Sequence, residues 1–164
     1  MLRLLLITST LLFSGAVFAG STDVNKPKQL NFGSSVKDTM NKLKPFCTSL
    51  SSRSITPITA PLATNSQVQV DCSGFLYAGK ERNIEVVFQD DQLDIIWILF
   101  PKVEKNNFIS DFTSTFGEAT MEIDYGVLFL QANAAIRNEP SEVLFASDRQ
   151  VKVMMKALQT KTKS

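Results

Sequence analysis

Residues 83–100, NIEVVFQDDQLDIIWILF, constrain this chain more than any other stretch, because they read as one β-hairpin with a defined register. Ile84, Val86 and Phe88 alternate with Glu85 and Gln89, the period of a half-buried strand. Asp90 and Asp91 tolerate the positive φ of a tight hairpin loop. A loop there sets Gln89 opposite Gln92, Phe88 opposite Leu93, Val86 opposite Ile95 and Ile84 opposite Trp97. The apolar members of those pairs share one face and are expected to form the core. On the other face Val87 meets Asp94, Glu85 meets Ile96 and Asn83 meets Ile98. Val87, Ile96, Ile98 and Phe100 make this second face apolar too, so something is expected to cover it.

Residues 1–19 have one cation, Arg3, then an apolar run from Leu4 to Phe13, and end Val17-Phe18-Ala19 before Gly20. That is the layout of a cleaved secretory signal peptide. The run is shorter than the ~20 residues a membrane span needs. No cysteine follows it closely enough for a lipid anchor. Export implies a periplasmic or secreted protein in an oxidising compartment. There Cys47 and Cys72, the only cysteines, are expected to pair. The bridge would stabilise the chain by ~3–4 kcal/mol in the chain-entropy model.

The chain has 17 basic and 16 acidic residues, and without Arg3 the two balance. Near-zero charge argues against nucleic acid or an anionic membrane as the main partner. The chain contains no histidine, which removes Ser-His-Asp and Cys-His catalysis and the commonest metal ligand. No glycine-rich phosphate loop occurs. Asp90, Asp91 and Asp94 form the nearest approach to a carboxylate cluster, without the spacing of a calcium loop, and read as turn acids. The register would put Glu85 and Asp94 on one face, conceivable for a glycosidase but commoner as solvent-facing acids. No cofactor is implied, and the reading is not an enzyme.

Along the chain, residues 20–30 read as a flexible segment. Ser35 with Asp38 opens a short helix carrying Val36, Met40 and Leu43, which Pro45 ends. Residues 48–66, rich in Ser, Thr and Pro, read as a long loop able to cover apolar surface. Strands are expected from Gln67 to Cys72 and from Gly74 to Ala78. After Pro101 a second helix carries Phe108, Ile109, Phe112 and Phe116 and stops at Gly117. A hairpin around Asp124-Tyr125-Gly126 and a strand ending at Arg137 follow. Glu85-Val86-Val87-Phe88 is echoed by Glu142-Val143-Leu144-Phe145, and Leu93, Ile95 and Trp97 by Val151, Val153 and Met155. This predicts a final strand from Val151 and a tandem repeat. The expected fold is α+β: two α-β-β-β-β units, 31–100 and 101–158, forming one antiparallel sheet with helices on one face. A disordered tail, 159–164, would follow.

Gly33-Ser34-Ser35-Val36 opening the first helix, Cys47 at its end, Cys72 in the first strands and a second start around Phe112 to Gly117 resemble the β-lactamase-inhibitor-protein fold. The small outer-membrane assembly lipoproteins have a single copy of a similar unit. The second half here has no cysteine pair, and there is no lipobox. The resemblance implies a concave antiparallel sheet that holds a protein partner. Val70-Asp71-Cys72-Ser73-Gly74 is also similar to periplasmic lysozyme inhibitors, β-barrels without a prominent helix, and the two helices argue against them. The expected function is an exported non-catalytic module binding an exported or envelope protein through Val87, Ile96, Ile98 and Phe100. A homodimer through that face is the related option. The alternatives are a carrier enclosing a small apolar ligand among some of the twelve phenylalanines, and an unrecognised hydrolase.

Overall fold

The computed structural model describes residues 22–161, so the expected signal peptide lies outside the described residues. Within them the fold is α+β. Helix α1 (Val36–Leu43) precedes strands β1 (Ser49–Ser54), β2 (Gln67–Tyr77), β3 (Lys80–Gln89) and β4 (Gln92–Leu99). Helix α2 (Lys105–Phe116) precedes β5 (Met121–Ile123), β6 (Gly126–Phe129), β7 (Ala134–Arg137) and β8 (Glu142–Ala146), and α3 (Asp148–Lys161) ends the described chain. One antiparallel sheet has the order β1-β2-β3-β4-β8-β7-β6-β5.

The β3–β4 hairpin forms as its sequence predicts at the turn, with Asp90 at φ 52° and Asp91 at φ 59°. Gln89 pairs with Gln92 and Phe88 with Leu93. Beyond that the register slips. A bulge at Asp94 pairs Val87 with Ile95, Val86 with Ile96, Glu85 with Trp97 and Ile84 with Ile98. One extra residue in a period-2 strand sends every later side chain to the opposite face. Ile96, Ile98 and Phe100 therefore lie in the core with Ile84, Val86 and Phe88, whereas Ile95 joins Val87 in a separate cluster against which Trp97 packs. This corrects the expected face of Val87, Ile96, Ile98 and Phe100, which the bulge divides between two sides.

The inner face is covered by α1 and α2. Ser35 caps α1 by accepting from the Asp38 N–H at 3.1 Å, and Leu43 reaches full burial. Phe108 and Phe112 of α2 enter the same core. Phe108 lies 4.5 Å from Phe100, and Phe112 lies 5.4 Å from Phe129 and 6.0 Å from Phe145, separations at which aromatic pairs attract beyond their burial. These helices, and not the 48–66 segment, cover Ile96, Ile98 and Phe100. That segment is only partly a loop. Its residues 49–54 form edge strand β1, with Leu50 opposite Cys72, and the Cys47–Cys72 disulfide fastens its start to β2. The two short strands expected at 67–78 are one strand bent by a bulge at Gly74 (φ 75°). Residues 22–30, expected to be loose, place Val24 and Leu30 in the core, and the Tyr77 hydroxyl donates to the Val24 carbonyl at 2.7 Å.

The expected last strand is a helix. Strand β8 already has β4 on one side and β7 on the other, so a strand turning back after Ala146 would find no free edge to pair with. The chain instead leaves the sheet and forms α3 from the helix formers Met154, Met155, Lys156, Ala157 and Leu158. Helix α3 also extends through residues 159–161, expected as tail. It packs on the outer face, so the helices occupy both faces and not one.

Candidate functional site

A row of residues crosses the outer face at one level, from β2 to β5: Asp71, Glu85, Trp97, Leu144, Ala135, Leu128 and Met121. The row divides at Trp97. Towards β2 it is acidic; towards β5 it is apolar. Helix α3 lies over the apolar half, with Val151, Met154, Met155 and Leu158 at the i, i+3, i+4, i+7 spacing of a single helical stripe. Between stripe and sheet lies a cavity of about 410 Å³, lined chiefly by Trp97, Leu128, Ala135, Leu144, Val151 and Met154. Ala135, which lines this space, is small where its neighbours in the row, Leu144 and Leu128, are large.

A buried polar network holds the start of α3. Ser147 accepts from the Gln150 N–H at 3.2 Å, the capping arrangement that sets the helix start. The Ser147 hydroxyl donates to Asp94 Oδ1 at 2.5 Å, and Arg149 Nε donates to the same oxygen at 2.7 Å. Arg149 Nη2 donates to Asp94 Oδ2 and to the Gln89 carbonyl, and Gln89 Nε2 donates to Gln150 Oε1 at 2.8 Å. Asn133 adds a bond to Asp148 at 2.6 Å. Hydrogen bonding to Asp94 raises the Arg149 pKa further, so this cation stays charged throughout the accessible pH range.

At the other margin of the cavity, the Arg137 guanidinium lies 4.8 Å from the Trp97 ring centroid and donates to Glu142 at 2.8 Å and to the Glu139 carbonyl. Burial raises the Glu142 pKa, the Arg137 charge opposes the rise, and nearby Glu85 adds to it.

The three turn acids point three ways. Asp90 accepts from the N–H groups of Thr64, Asn65 and Ser66 and from the Thr64 hydroxyl. Asp91 accepts from the Val36 N–H at the start of α1, at 2.9 Å, and Asp94 is taken by Arg149. The register slip leaves Glu85 opposite Trp97, while Asp94 sits buried in the bulge. Among the described residues, no three His, Cys, Asp or Glu side chains are placed to share a metal ion. A second hollow, beside Thr48, Lys80, Arg82, Leu99 and Glu104, has mixed polar and apolar walls, and its cations are paired: Glu104 accepts from both Lys80 and Arg82.

Sequence reasoning placed Val87 on the outer face and missed Ile95, Ala135 and α3. The missing signal was present: Ser147 followed by Gln150 is a capping box, and Val151, Met154, Met155 and Leu158 have helical period. Comparison of the chain with protein-family models, with curated proteins and with solved structures finds no match.

Proposed function

We propose that this protein is an exported, non-catalytic binding module that carries a small apolar molecule in the cavity between the outer sheet face and α3. One observation supports the reading above others: the cavity has apolar walls on the sheet side and on the helix side. Its volume falls within the range usual for small-molecule sites. Met154 and Met155 line the roof, and unbranched thioether side chains repack around ligands of different shape. The layout of residues 1–19 and the disulfide support export. A protein partner gripped through Ile96, Ile98 and Phe100 finds no support, since all three are buried.

The test uses the mature protein purified without detergent. Native mass spectrometry is expected to find a bound apolar molecule, or N-phenylnaphthylamine is expected to gain fluorescence on binding. Ala135→Phe should fill the cavity and abolish uptake with the melting temperature kept. A protein that neither retains a ligand nor takes up the probe would refute the reading.

We also infer that the two α-β-β-β-β series arose by duplication. Each begins with a helix on the inner face, and the halves join through antiparallel β4 and β8. In that relationship β8 corresponds to β4, not to β3, so the Glu85 and Glu142 echo is not the repeat signal.

A further inference from the structure

We propose, building on the carrier reading above, that the cavity selects its ligand by an unbranched hydrocarbon tail and leaves the head group in solvent. The polar side chains of the lining carry the argument. Asn133 spends its amide on Asp148, and Arg137 spends its guanidinium on Glu142 and the Glu139 carbonyl. Among the described residues the buried side-chain atoms without a partner are Thr39 Oγ1, Arg82 Nε and Asn138 Oδ1, and none of these residues lines the cavity. A polar group carried in against Leu128, Ala135, Leu144 and Met154 would lose its water and find no hydrogen-bonding side chain among them. The complement of such a lining is uncharged and makes no hydrogen bonds.

The shape supports a chain. The lining runs from Trp97 on β4 to Ile123 on β5, four strand spacings or about 19 Å. Along a strand it runs from Ala134 to Arg137 of β7, about 10 Å. A site longer across the strands than along them suits a linear tail better than a compact ring system. Tyr125, in the β5–β6 turn, both lines the cavity and is 61 % exposed, which places the rim there and the head group beside it.

The experiment titrates the mature protein with fatty acids and fatty alcohols from octyl to hexadecyl, read by the fluorescence of Trp97, the only tryptophan, and by displacement of N-phenylnaphthylamine. Affinity is expected to rise roughly threefold to fourfold per methylene until the cavity is full. An acid and an alcohol of equal length should differ by less than one such step. Met154→Ala should move the length optimum upward, and Ala135→Leu, gentler than Ala135→Phe if that variant folds poorly, should move it downward. Affinity independent of length, or lost on exchanging acid for alcohol, would overturn the proposal. Uptake of the aromatic probe without competition by any alkyl chain would overturn it too, while sparing the carrier reading. Failure of probe and chains alike would overturn both.

Discussion

The Asp94 carboxylate, with 1 % of its side chain exposed in the bulge of β4, is held by the Arg149 guanidinium from the first turn of α3. This pair joins the element that resets the hairpin register to the helix that roofs the cavity. Arg149→Met would leave a buried charge supported only by Ser147 and Gln89. Removing one partner of a buried ion pair commonly costs about 3–5 kcal/mol, and the remaining hydrogen bonds place this case near about 3 kcal/mol. Urea unfolding measures it. Asp94→Asn in the Arg149→Met background should recover part of the loss, because the unpaired charge is gone.

Asp90 should give stability an acid-sensitive component. Its hydrogen bond from the Thr64 hydroxyl, with those from the N–H groups of Asn65, Ser66 and Thr64, holds its pKa well below 3.8. The folded state therefore binds this proton less readily than the unfolded chain. The contribution is complete above about pH 4 and is lost as pH falls towards the lowered value. Glu142 acts in the opposite sense: burial raises its pKa, so its contribution to stability improves as pH falls through the carboxylate range. In Asp90→Asn the acid loss of stability should shrink, measured as urea midpoints from about pH 5 to about pH 2. An unchanged acid slope would exclude Asp90 as its source.

Gly126 opens β6 opposite Arg137, and a Cβ there would lie 2.1 Å from the Ile136 carbonyl oxygen. Backbone on the adjacent strand cannot yield as a side chain can. Gly126→Ala should destabilise the protein by more than about 2 kcal/mol and disturb the β6–β7 pairing that forms the cavity floor. Thermal melts and backbone amide exchange at Val127 and Ile136 report the two effects separately.

Ile96 tests the slipped register directly. It is fully buried on the inner face, so Ile96→Ala should cost about 3–4 kcal/mol. Glu85→Ala, on the outer face opposite Trp97, should change stability by less than about 0.5 kcal/mol. Similar costs for both, by chemical denaturation, would argue against the bulge at Asp94.

Local chemistry made much of the molecule legible. Ser35 and Asp38 mark the start of α1, Phe108 and Phe112 mark the buried side of α2, and Asp90-Asp91 mark a turn whose positive φ few residue pairs tolerate. Having only two cysteines, in a chain expected to be exported, was enough to predict the Cys47–Cys72 bridge. These features depend on residues near one another in the chain or on residue type alone.

What tertiary structure decided follows from long-range competition. Asp94, which alternation alone would pair with Val87, sits in the bulge and accepts from Ser147 and Arg149, more than fifty residues away. That one displacement put Ile96, Ile98 and Phe100 inside and Ile95 outside. Residues 151–161 could not become a strand because both edges of β8 were occupied, a fact of sheet order that no window of sequence contains. The hairpin's sequence alone determined that two faces would exist. Which residues each face received, and that a helix would roof the outer one over an apolar cavity, depended on partners that only the folded chain brings together.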